Sequence, residues 1–139
     1  MYKELFVNLA DAAAKAENGE KITGMIELNM EALVDYVKSV YMLEVSLTVA
    51  RVRLGEDSRE FAEHVAELDR KRRVCHEAAI ASVSALNRMC DFFKVARVFD
   101  GDIDNRYEVA DFCGNMVDEV FKSREKAVPV DVLAAARRA

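Results

Sequence analysis

The stretch 58–99 contains neither proline nor glycine, and its apolar residues fall on one helical stripe. Phe61, Val65, Leu68, Cys75, Ala79, Val83, Leu86, Cys90 and Phe93 follow the spacing of a helix that buries one face. The stripe skips a turn at Arg72, inside the basic run Arg70-Lys71-Arg72-Arg73. A straight helix over this stretch is about 63 Å long. A compact chain of this size is roughly 37 Å across. The helix therefore either bends, between 69 and 73, or projects and packs on a partner.

The rest of the chain agrees with a helical reading. One proline and five glycines in 139 residues are too few for the turns of an all-β fold. The fold class read from the sequence is all-α: a helical bundle of four main helices plus a short C-terminal helix, in a single helical domain over 1–139. A hydrophobic content of 52% supports a real core. A net charge of −5 argues against non-specific binding to nucleic acid or anionic lipid. The opening residues lack the order of a signal peptide, and no window approaches the about 20 apolar residues of a membrane span. Three cysteines without a CxxC pair read as reduced core residues of a cytoplasmic protein rather than a zinc site.

The first helix is expected over 2–17, burying Leu5, Phe6, Leu9, Ala12, Ala13 and Ala16, with Gly19 as its stop. Residues 19–28 read as an irregular connection. Asn29 then caps a second helix ending at Gly55. That helix has two apolar faces: Leu33, Tyr36, Val40, Leu43, Leu47, Ala50 and Leu54 on one, and Val34, Val37, Tyr41, Val45, Val49 and Val52 on the other. Such a helix either lies centrally or meets another chain. Asp57 and Glu60 form the expected capping box of the third helix, and Asn105 and Glu108 that of the fourth, over 105–126. Gly114 suggests a close helix crossing. Pro129 ends the element, and 130–138 forms the short last helix.

The sharpest local chemistry lies in Asp100-Gly101-Asp102-Ile103-Asp104-Asn105. Alternate carboxylates in a tight loop suit calcium, which takes hard oxygen ligands. With Asp100 as first position, residues 100–111 resemble an EF-hand loop. The resemblance implies calcium held by Asp100, Asp102, Asp104, the Arg106 carbonyl and Asp111. The loop departs from that family at Asn105, Tyr107 and Asp111. The same residues also suit a solvated turn and a helix cap.

The basic run lies one helical turn after Glu67 and Asp69, which suits internal ion pairs with Lys71 and Arg73, and no aromatic residues interleave for base stacking. Arg70 and His76 are spaced similarly to the arginine–histidine motif of HEPN-type helical ribonucleases, which implies catalysis on RNA by these two residues. Lys71 replaces that motif's usual polar residue. His64, four residues after Glu60, reads as a surface pair, and His76 as a core-edge histidine. No zinc-protease, di-iron, phosphate-loop or nucleophile-elbow pattern is present.

Asn87-Arg88, Gly101-Asp102, Arg106 and Val109-Ala110-Asp111-Phe112, over roughly 69–124, resemble a small bacterial family of helical proteins with no assigned function. The resemblance implies a polar constellation of Asn87, Arg88, Asp102 and Arg106, without a catalytic role. The function is thus unknown at this level. The first reading is a non-enzymatic cytoplasmic interaction module, homodimeric through the second or third helix, with no cofactor. The alternatives are a calcium-binding module and a HEPN-like ribonuclease.

Overall fold

The structure, a computed structural model, describes residues 2–121. These residues are all-α: α1 covers Tyr2–Ala14, α2 Gly19–Leu54, α3 Arg59–Phe93 and α4 Arg106–Met116, and a π-helical turn follows over Val117–Phe121. The expected last helix at 130–138, Pro129 and the fourth helix beyond 121 lie outside the described residues.

α2 corrects the expected start of the second helix. Residues 19–28 are helical, and Asn29 lies inside the helix, its side-chain amide donating to the Met25 carbonyl at 2.8 Å. Ile22, Ile26, Met30 and Leu33 carry the stripe backwards, and the last three are buried. That burial outweighs the roughly 1 kcal/mol cost of a helical glycine at Gly24. α1 stops at Ala14 rather than 17. A Cβ on Gly19 would lie 2.8 Å from the Ala14 carbonyl oxygen, so the α1–α2 corner closes this tightly only with glycine.

α2 and α3 form a long antiparallel hairpin. Gly55, at φ 83°, ends α2, and its N–H donates to the Arg51 carbonyl. The cap of α3 is Ser58 rather than Asp57, because its hydroxyl oxygen accepts from the Phe61 N–H at 3.1 Å. α3 runs unbroken through Asp69–Arg73, so the helix does not break there, and its first half extends beyond the core. It ends at Phe93 rather than 99. Lys94 turns left-handed at φ 58°, its N–H donates to Asp91, and the Val95 N–H donates to Cys90 at 3.0 Å. These are the two bonds of a Schellman closure. Arg97 then grips Asp91 with two bonds of 2.9 and 2.7 Å, which holds the Asp91 carboxyl below its usual range.

The core gathers α1, the first half of α2, the second half of α3, Val98, Phe99, α4 and the π turn. Among the described residues it takes in nothing from 41 to 74. That stretch is a two-helix arm, with only Ala50 and Leu68 buried along its length. At the other end, the Lys3 N–H donates to Glu119 at 3.2 Å, tying the start of α1 to the π turn. Gly114 has open space where a Cβ would go, so it marks no close crossing.

All three cysteines are free; Cys90 and Cys113 are buried and Cys75 is half-buried. Burial pushes the Cys113 thiol up to about 12 and raises that of Cys90. A thiol reagent in native buffer should therefore modify one cysteine, Cys75, quickly, and all three only in denaturant. Mass spectrometry of the alkylated protein checks this; early labelling of Cys113 would contradict the packing.

Candidate functional site

The structure turns the acidic loop into a turn and a cap. The Asp102 carboxylate accepts from the Asp104 N–H at 2.9 Å. The Asn105 side-chain oxygen accepts from the N–H groups of Tyr107 and Glu108 at 3.0 and 3.3 Å, capping α4. Glu108 reaches past Asn105 to the Asp102 N–H at 3.0 Å, so the capping box is displaced onto Asp102. Asp100, Asp104 and Asp111 are exposed. No three His, Cys, Asp or Glu side chains among the described residues are arranged to hold a metal.

The polar constellation is dispersed. Asn87 bonds both the carbonyl and the N–H of Phe99, at 2.8 and 3.2 Å, and clamps the segment after α3. Arg88 lines an apolar groove with Ile22, Met25, Met89 and Phe92. Arg106 donates to its neighbour's Tyr107 hydroxyl at 3.3 Å, with its guanidinium 5.1 Å from that ring's centre.

Arg70 and His76 do not meet within one chain. Arg70 lines a groove of about 770 Å³ with Asp35, Lys38, Met42, Lys71 and Val74. His76 lines a separate groove of about 510 Å³ between α2, α3 and α4. Its ring lies 6.3 Å from that of Tyr36, and burial, then Arg106, lowers its pKa. Of the expected ion pairs in the basic run, Lys71–Glu67 forms at 3.5 Å. Arg73 has no ion-pair partner among the described residues, although it, its expected partner Asp69 and Arg106 all line the same groove. His64 does not pair with Glu60: it is half-buried, and its Nε2 has no partner. Tyr36, Arg72 and Tyr107 join this groove through tertiary packing; in the sequence Arg72 shows only as a gap in the apolar stripe, and no local spacing links the three.

The arm carries a different surface. Val34 is buried and Val37 partly buried against the core, but the same helix continues into the arm without a cover. Met42, Val45, Val49 and Val52 recur there at the three-four-three spacing of a helix seam. Val45 is half-buried, Met42 and Val49 are exposed, and Val52 is 82% exposed. No described helix is long and apolar enough to cross a membrane.

A small helical protein with a projecting two-helix arm is the class these features define. The chain belongs to the family described as a protein of unknown function, DUF3232, whose model matches residues 3–126. No curated protein and no solved structure matches it.

Proposed function

We propose that the protein is a non-enzymatic helical interaction module that forms a homodimer by laying the arm of one copy against the arm of another. The observation that carries this reading is the stripe of exposed Met42, Val49 and Val52 with half-buried Val45, on an arm outside the core. Two such stripes related by a two-fold axis give a seam in which each copy buries the same residues. A projecting pair of helices completes a four-helix bundle with a second pair, which spares the core any rearrangement. Three free thiols support a reducing, cytoplasmic setting for it.

Sedimentation of the wild type at about 100 µM, a concentration that populates even a micromolar dimer, should give twice the 15.6 kDa chain mass. The double variant Val49→Glu, Val52→Glu should remain a monomer with an unchanged circular dichroism spectrum, because both side chains face solvent in the single chain. A monomeric wild type, or a dimer indifferent to the two glutamates, would overturn the reading.

A further inference from the structure

We propose that the groove between α2, α3 and α4 binds a small molecule through an oxyanion, a phosphate or carboxylate group, gripped by Arg72, Arg73 and Arg106. The inference is independent of the proposed dimer seam, since Met42, Val45, Val49 and Val52 contribute no residue to this groove, although Arg72 and Arg73 stand at the base of the arm.

The Arg72 guanidinium is the starting point. Its Nε–H is buried and has no acceptor. An arginine keeps its charge at any ordinary pH and carries five donors in a rigid fork. A buried donor left unmade is costly, so native proteins rarely keep one without a partner. Neither Arg72 nor Arg73 lies within ion-pair distance of a carboxylate among the described residues. Arg106 reaches the same groove from the first turn of α4, steadied by the Tyr107 ring beneath it. Three arginines from two helices thus line one groove, and forked donors of this kind suit the paired oxygens of phosphate or carboxylate.

The groove also has the dimensions and walls of a ligand site. Its volume of about 510 Å³ lies within the range typical of small-molecule pockets. Tyr36, Val40 and Ala110 supply apolar wall beside the cations. Glu44 and Asp69 line it too, and neither forms an ion pair among the described residues. They leave the groove one positive charge in excess, and they offer acceptors for a ligand that also bears a donor. His76 sits on the wall, with Arg106 lowering its pKa and the neighbouring Glu77 opposing that shift. An anion seated by Arg106 would screen the arginine and favour the imidazolium.

That places a reporter in the site. The chain has two histidines, and His64 lies in the arm outside the groove. The imidazole resonances of the full-length protein are followed by NMR while inorganic phosphate, or in a parallel arm acetate, is added at constant ionic strength. A saturable shift of His76 with a still His64 is expected. Saturation by phosphate assigns a phosphate-bearing ligand, and saturation by acetate alone assigns a carboxylate. Arg72→Gln and the exposed Arg106→Gln should each weaken the apparent affinity by about tenfold or more. Equal drift of both histidines, no shift with either anion, or a shift that survives both substitutions would overturn the proposal.

Discussion

Leu86→Ala is expected to lower the unfolding free energy by about 3 kcal/mol, within the range for a buried leucine truncated in a packed core. Leu86 has no exposed surface and sits among the residues that join α3 to the rest of the core. Truncation removes apolar contact and leaves a cavity that neighbours on several helices cannot all close. In a chain of this size the loss corresponds to a fall in Tm of roughly 10 °C. Val52→Ala, in the arm, is the matched control. It should change stability by less than about 0.5 kcal/mol when measured at low concentration, where the chain is a monomer. Urea melts of the two variants decide the matter. Equal losses would mean that the arm and the core are one cooperative packing unit, and the division drawn at residues 41 and 74 would fail.

That division was partly visible in the sequence. The α3 stripe named Ala79, Val83, Leu86 and Cys90, all of which are buried. The same stripe ran on through Phe61 and Val65, which are only half-buried, because periodicity reports which face is apolar and not how many helices cover it. The conflict between helix length and globule size carried the missing information, since one way to resolve it was projection. Gly19 and Gly24 give 19–28 the look of an irregular connection. Gly19 does mark a corner, but Gly24 is merely tolerated in a helix that Ile22 and Ile26 anchor. Val98 and Phe99 extended the apolar run past the true end of α3. Their burial comes from the turn at Lys94, which drops them onto the core from the side.

The candidate site was less legible. In the sequence His76 stands out for its distance from Arg70, and Arg106 for its place in the acidic loop and in the constellation with Asn87, Arg88 and Asp102. Only the packing of α4 against the hairpin puts His76 and Arg106 in one groove. Tyr36 is, in the sequence, one more member of an apolar helix face, and Arg72 a gap in a stripe. A site built from a few residues on each of three helices that are distant in sequence has no local spacing to recognise. What could have raised suspicion is Arg72 itself, a charged residue at a position where the periodicity demands an apolar one.

Asn87→Ala should cost about 2–4 kcal/mol, because it strands two backbone groups at once. Phe99 is buried, and the Asn87 side chain serves both its N–H and its carbonyl across a gap in the helical hydrogen-bonding pattern. The Phe99 ring lies 5.1 Å from that of Phe112, which in turn meets Tyr2 edge-on at 5.2 Å. Loosening the clamp therefore loosens the contact between α4 and α1, and faster hydrogen exchange should spread from Phe99 into α4. Asn87→Asp separates the two bonds. Its carboxylate can still accept from the Phe99 N–H, but it faces the Phe99 carbonyl with a second oxygen where the amide donated. Ionisation is thus disfavoured in the folded state, so the aspartate's folded pKa lies above its unfolded value. The variant should regain stability as pH falls, when the protonated carboxyl can donate, and lose it as pH rises through the folded pKa. Melts of both variants between acid and neutral pH, each compared with wild type, test this. A loss under about 0.5 kcal/mol for Asn87→Ala, or an Asn87→Asp variant insensitive to pH relative to wild type, would show that the segment after α3 is held by the burial of Val98 and Phe99 alone.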